Sequence, residues 1–249
     1  HHVFVDMISR VFLIQNNHKH NTMNILNTKS AILQTIREKS SLKQLVYKNT
    51  AEVFSELKKV LENLVDEYNL ELVDQSDAVK LEFEDRGASE VQIQVASDIL
   101  VFSMYSNVFQ FNRDHPVWQK DYVKHNPNNA YSGIINIYNF LSDSFKYKRS
   151  EDLGYLVARI FINQENHYVV EGKRQMGLLE NDLSQSISDK DSLRKIVETA
   201  INYSLNFDLL VPPYDDVKIL AVADIDEKIQ NAKIKTGKRL GFQFKSDDV

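Results

Sequence analysis

The sequence contains no cysteine. Disulfide bonds, thiolate zinc sites and cysteine nucleophiles are therefore excluded for this chain. Proteins of reducing compartments do not depend on disulfides, so this composition fits an intracellular location, and we predict a cytoplasmic protein.

Glycine and proline are also scarce, with 7 and 4 residues among 249. Because these residue types interrupt regular structure, their scarcity favours long helices and strands over a loop-rich scaffold. No apolar run approaches the roughly 20 residues that span a bilayer, which predicts no membrane association. The formal net charge is −5, so nucleic acid is a disfavoured partner, although a local basic patch stays open as an alternative.

The chain begins with His1 and His2, which is typical of an expression tag. We predict that residues 1–22 are a tag or a flexible arm and that residues 23–249 form a single α+β domain. Within this domain, a helical segment at 28–69 is expected to pack on a sheet domain at 70–249.

The first regular pattern in the chain is helical. From Val53 to Tyr68 apolar residues recur every three or four positions, and Ser40 or Ser41 can cap such a helix. A break near Asn49 would split the helix into two. The apolar stripe fits a core helix or a helix that pairs with its own copy, so a homodimer is one of the predicted partner states.

Period-two alternation follows the helix. Apolar and polar residues alternate from Val79 to Val95 around a turn at 84–89, which predicts a β-hairpin with one solvated face. Strand-like residues continue to Phe111 and complete an antiparallel β-meander.

Three further features complete the predicted fold. Residues 131–145 are apolar on nearly every side with helical spacing, which predicts a buried helix. Tyr155–Ile162 and residues 167–174 flank a four-residue turn and predict a β-hairpin. A helix capped by Asp191 or Ser192 and a strand at 217–225 follow. We therefore predict an α+β fold with an N-terminal helix, an antiparallel β-meander, a buried helix, a β-hairpin, and a C-terminal helix and strand.

A long segment without regular periodicity, residues 112–129, lies in the aromatic-rich middle of the chain. Loops of this length are uncommon in compact domains and often carry function. Its cationic and aromatic side chains are candidate ligand-binding residues, namely Arg113, His115, Trp118, Lys120 and His125. The alternative is a loop that Trp118 and Tyr122 pin to the core.

Basic residues cluster before and after the predicted hairpin. The first cluster contains Lys146, Lys148 and Arg149, and the second contains Lys173 and Arg174. Because antiparallel strands bring these positions to the same end of a hairpin, we predict an anion-binding surface in which Lys148, Arg149 and Arg174 contact the ligand. A solvated rim is the alternative, since lysine and arginine are common on protein surfaces.

The second strand of the hairpin ends in Glu171-Gly172-Lys173, a carboxylate followed by a cation. With an aspartate, such a pair can hold Mg²⁺ or Mn²⁺ beside a phosphate in a metal-dependent nuclease, and Asp152, just before the first strand of the hairpin, is the candidate. A four-residue turn, however, pairs Glu171 with Ala158 and leaves Asp152 about 20 Å away along the strand, too far to share an ion. The nuclease is therefore the alternative hypothesis.

No other catalytic, dinucleotide or calcium-binding motif occurs in the sequence. We therefore predict a binding protein without assigned catalysis, metal or cofactor. Its expected ligand is a protein partner, its own copy or a small anionic molecule.

Overall fold

The structure of the protein is a computed structural model. It describes residues 27–75, 79–150, 152–172, 176–177, 182–184, 186–206, 211 and 214–219. The chain divides into two compact units, one ending at Leu45 and one beginning at Val46. The predicted arm at 1–22 lies outside the described residues.

Helical conformation begins near the start of the predicted segment 28–69, well before the predicted cap at Ser40 or Ser41. Residues 27–35 are helical, and Ile36–Ser40 form a π-helical turn that leads directly into helix α1, Ser41–Glu71. Ser41 itself has helical backbone angles, so the predicted cap at Ser40 or Ser41 is wrong. All side chains from residue 27 to residue 41 are exposed.

The predicted break near Asn49 is also wrong, because α1 runs through this position. The buried Asn49 side chain donates to the carbonyl oxygens of Asn163 and Gln164 at 3.3 and 2.8 Å. Its amide therefore does not compete with the hydrogen bonds of the helix, which is the effect that makes asparagine unfavourable inside helices.

Seven antiparallel strands form one sheet in the described part of the chain. They are β1 Glu82–Asp85, β2 Glu90–Val95, β3 Asp98–Met104, β4 Phe109–Gln110, β5 Tyr131–Leu141, β6 Tyr155–Ile162 and β7 Tyr168–Gly172. The order across the sheet is β1-β2-β3-β5-β6-β7, and β4 pairs with the first residues of β5. The shorter helices are α2 Asp121–His125, α3 Ser142–Lys146, α4 Lys190–Leu205 and α5 Tyr214–Val217.

The core lies between one face of this sheet, the helical face, and helices α1 and α4. Ile135, Ile160 and Val170 lie side by side on this face across β5, β6 and β7. The buried helical residues facing them are Val53, Phe54, Leu57, Val60, Leu61, Leu64 and Val65 from α1, and Leu193, Ile196, Val197, Ala200, Ile201 and Tyr203 from α4. The predicted apolar stripe of α1 is thus a core-facing stripe.

The segment predicted as a buried helix is a strand. Residues 131–141 form β5 in the middle of the sheet, and only residues 142–145 are helical, in α3. Both faces of β5 are largely buried, with Ile135 on the helical face and Ile134 on the other. A strand covered on both faces loses the period-two alternation that marks a half-buried strand, so its apolar run resembles a buried helix.

The hairpin of β6 and β7 is confirmed, but its register differs by one residue from the prediction. Ile162 pairs with Tyr168, and the loop contains the five residues 163–167. Asn163 causes the longer loop, because its side-chain oxygen accepts the N–H groups of Glu165 and His167 at 2.9 and 3.1 Å. Asn166 completes the turn with a φ of 59°, a conformation that asparagine tolerates.

The predicted C-terminal elements are present in part. Helix α4 begins after Asp189, whose carboxylate accepts the N–H of Ser192 at 2.8 Å, so the cap lies two residues before Asp191. The predicted strand at 217–225 starts in α5 and lies outside the described residues from 220 onward. The α+β class, with its N-terminal helix, antiparallel strands and C-terminal helix, is confirmed. No helix in the described ranges is long and apolar enough to cross a bilayer.

Candidate functional site

The second face of the sheet, opposite the helical face, carries the candidate site. Residues 111–130, the capping loop, cover this face over β6 and β7. A second apolar cluster joins them, with Val117, Val123, Ala130 and Leu183 buried and Phe111, Trp118, Tyr122 and Val169 packed against these four. The long segment without periodicity is therefore an ordered loop with its own small core.

Two side chains fix the capping loop locally. Nδ1 of His115 accepts the N–H of Val117 at 3.1 Å and starts the 3₁₀ turn that follows. Nε1 of Trp118 donates to the carbonyl oxygens of Phe111 and Asn112 at 3.1 and 2.8 Å. The indole therefore closes the loop on itself.

A polar network anchors the capping loop to the turn between β6 and β7. The Tyr122 hydroxyl donates to Glu165 at 2.6 Å and accepts from the Asn163 side chain at 3.0 Å. Burial, followed by the bond to Glu165, raises the pKa of Tyr122, so its phenol remains a donor. Gln164 adds a bond of 2.6 Å to Asn129. These bonds hold the loop in place over the end of the hairpin.

A cleft of about 310 Å³ lies between the capping loop and strands β6 and β7. Its apolar lining comes from three segments, with Phe111 and Val117 from the loop, Phe161 and Val169 from the strands, and Leu183. This volume lies near the lower end of the range of small-molecule pockets, roughly 300 to 1,000 Å³. The cleft therefore suits a small ligand with an apolar body.

Three rings form one continuous side of the cleft, which we call the aromatic wall. The ring centroids of Phe161 and Phe111 are 4.8 Å apart, and those of Phe111 and His115 are 4.5 Å apart with the planes inclined by 27°. At the Phe161 end, the guanidinium of Arg159 lies 5.5 Å from the ring centroid. A flat ligand can stack on this wall, as aromatic groups do in protein sites.

His115, at the other end of the aromatic wall, and Lys120 both line the cleft and carry N–H donors. Because Nδ1 of His115 accepts the N–H of Val117, the proton of the neutral ring is on Nε2. Lys120 lines the cleft and forms no salt bridge with the described residues. The bonds to Ser184 lower the pKa of Asp182, and the charge of Lys120 adds to this shift.

An ion pair borders the Phe161 end of the cleft. Arg159 and Glu171 lie opposite each other on β6 and β7, and Nε of Arg159 donates to Oε2 of Glu171 at 2.6 Å. Glu171 also lines the cleft. The predicted pairing of Glu171 with Ala158 is wrong, because the longer hairpin loop shifts the register by one residue and places both charges on the same face.

The five predicted loop residues lie in three different environments. His115 and Lys120 line the cleft, as described above. The guanidinium of Arg113 stacks on the Trp118 ring at 4.1 Å, and the Trp118 side chain is bonded to the loop backbone. Trp118 and Tyr122 thus fix the loop in place, as the alternative interpretation of this segment predicts. His125 is exposed, with its Nδ1 atom 2.7 Å from the carbonyl oxygen of Asp121.

Arg149 is not part of the predicted anion-binding surface at the open end of the hairpin. The side chains of Arg149 and Asp152 are 5% and 2% exposed and pair at 2.9 Å, and Ser144 donates to the same carboxylate at 2.8 Å. This guanidinium is therefore not available to a ligand at the surface. Lys148 is exposed, and Arg174 lies outside the described residues.

The two carboxylates that the nuclease hypothesis assigns to one metal ion form separate ion pairs. Asp152 faces the buried Arg149, whereas Glu171 faces Arg159 on the sheet. Within the described part of the chain, no three acidic or histidine side chains are grouped so that they can hold a metal ion. Lys173, the third residue of this alternative, lies outside the described residues.

Sequence reasoning missed Phe161, Val169 and Arg159 as residues of the site. The predicted register placed Arg159 on the face of the sheet opposite Glu171. Because alternate residues of a strand share a face, the same register placed Phe161 on that opposite face as well. The signal that would have corrected this is the turn sequence Asn163-Gln164-Glu165-Asn166, because asparagine side chains commonly build longer turns by bonding to backbone N–H groups.

Comparison of the chain with models of protein families, with curated proteins and with solved structures gives no match in any of the three. The geometry of the cleft is therefore the basis of the functional argument.

Proposed function

We propose that the protein is a cytoplasmic binding module that holds a small anionic ligand with an apolar body in the cleft between the capping loop and strands β6 and β7. The observation that carries this proposal is the aromatic wall with two N–H donors, His115 and Lys120, beside it. The cysteine-free sequence supports the location.

The charges at the cleft support an anion over a cation. The Glu171 carboxylate is neutralised by Arg159, so it offers little attraction to a cationic ligand. Lys120 lines the cleft with an ammonium group that only donates, and the Nδ1 acceptor of His115 is already occupied by the N–H of Val117. Hydrogen bonds from charged donors to an anion are among the stronger ones in proteins, which gives the ligand a fixed orientation on the wall.

The first test is a titration with 2-naphthoate and its uncharged analogue 2-naphthylmethanol. The chain has one tryptophan, Trp118, which lies in the capping loop, so quenching of its fluorescence reports binding at the cleft. We expect naphthoate to bind more tightly than the alcohol. The substitution Lys120→Met is expected to weaken naphthoate binding by about five- to tenfold and leave the alcohol unchanged, because it removes one charged donor.

The control is Lys124→Met, which removes an equal charge from α2 at a residue that pairs with Asp121 and does not line the cleft. Equal affinities for naphthoate and the alcohol in the unmodified protein would contradict the proposal. Equal losses in the Lys120 and Lys124 variants would contradict it as well, because the effect would then arise from net charge.

A protein partner and a homodimer stay predictions of the sequence. A native mass spectrum of the purified protein tests the homodimer. A peak at twice the chain mass supports the homodimer, and a peak at the single-chain mass contradicts it.

A further inference from the structure

We infer that the cleft takes a ligand with two carboxylates, one at Lys120 and one at Arg159, where Glu171 acts as an internal competitor. This inference rests on the proposed function and adds the class of ligand and the residue pair that selects it. The order of ring contacts places Arg159 and His115 at opposite ends of the wall.

Glu171 uses only part of the binding capacity of Arg159. Nε and Nη2 of Arg159 both contact the same carboxylate oxygen, Oε2. Within the described residues, Oε1 of Glu171 and Nη1 of Arg159 form no hydrogen bond. A guanidinium binds a carboxylate best through two parallel N–H···O bonds to both oxygens. A ligand carboxylate that approaches freely can reach this geometry.

The pair is also exposed enough to exchange partners. The side chains of Arg159 and Glu171 are 40% and 52% exposed, in contrast to the buried pair of Arg149 and Asp152. Exposed ion pairs contribute little to stability because water competes for both charges. Displacement of Glu171 therefore opposes ligand binding only weakly, and the released carboxylate can be solvated at the mouth of the cleft.

A buried asparagine lies beside Arg159 in the sheet. Asn136 pairs with Arg159 across β5 and β6 and is 4% exposed. Its Nδ2 donates to the Tyr138 hydroxyl at 3.1 Å, while its Oδ1 accepts no hydrogen bond within the described part of the chain. Buried amides are usually satisfied on both atoms, and the open atom here is an acceptor, so it can take an N–H of Arg159 but not a ligand carboxylate.

The experiment compares 2,6-naphthalenedicarboxylate with 2-naphthoate by the same fluorescence titration. The measured quantity is the ratio of their affinities, which isolates the second carboxylate. In Glu171→Gln the ratio is expected to rise about fivefold over the unmodified protein, because Arg159 loses its competitor. In Arg159→Met the ratio is expected to fall to about one, and adding Glu171→Gln to Arg159→Met should not restore it.

The control is Glu62→Gln, which makes the same charge change on an exposed residue of α1, on the helical side of the sheet. Thermal unfolding of each variant shows that it is folded. A ratio that stays constant in Glu171→Gln, or that changes equally in Glu62→Gln, would overturn the inference while naphthoate binding that depends on Lys120 still supports the proposed function. Loss of naphthoate selectivity in the unmodified protein would instead overturn the proposed function itself.

Discussion

Replacement of Asp152 by alanine is expected to lower the free energy of unfolding by about 3 kcal/mol. Asp152 forms an ion pair with Arg149, and both side chains are almost fully buried. The Ser144 hydroxyl also loses its acceptor in this variant. Removing one partner of a buried ion pair costs much more than the pair contributes, because the remaining charge stays desolvated. Urea denaturation monitored by circular dichroism measures the change.

The matched control for this prediction is Glu171→Ala, which removes a carboxylate from the exposed pair with Arg159. Its expected effect is at most about 1 kcal/mol. Near-equal losses of stability in the two variants would show that burial does not distinguish the two pairs. The folded Asp152→Ala variant should retain its affinity for 2-naphthoate, because Asp152 does not line the cleft.

The helices and the first strands could be predicted because their residues face two different environments. The residues of α1 that lie in the core, such as Leu57, Leu61 and Leu64, recur at helical spacing between charged neighbours. In β2, Val91 and Ile93 are directed to the core, and Gln92 between them bonds to Glu84 and Arg86 on the other face. Alternation of this kind is visible in the sequence alone.

Strand β5 and the cleft could not be predicted in the same way. Apolar side chains lie on both faces of β5, so the sequence does not indicate which face of the sheet each residue occupies. The loop side of the cleft was found through His115 and Lys120, which are conspicuous in an irregular segment. The strand side, Phe161 and Arg159, required a register that the side chain of a single residue, Asn163, determines.

The substitution Gly133→Ala is expected to destabilise the protein by about 3 kcal/mol, because Thr50 of α1 packs directly against this residue of β5. A Cβ atom added to Gly133 would lie 2.0 Å from Oγ1 and 2.8 Å from Cβ of Thr50. Thr50 is 1% exposed, and its hydroxyl donates to the carbonyl oxygen of Val46 at 2.7 Å. A change of side-chain rotamer moves Oγ1 but not Cβ, so the clash can be relieved only by separating the helix from the sheet.

A double-mutant cycle with Thr50 tests this explanation. Thr50→Gly alone is expected to cost about 1 kcal/mol or somewhat more, from the helix propensity of glycine and the loss of packing. Combined with Gly133→Ala, it removes the atoms that the new methyl group would meet, so the double variant should be more stable than the sum of the single effects by at least 1 kcal/mol. Additive losses would instead place the effect of Gly133→Ala in the backbone of β5. The cycle therefore separates close packing of α1 on the sheet from a local preference of the strand for glycine.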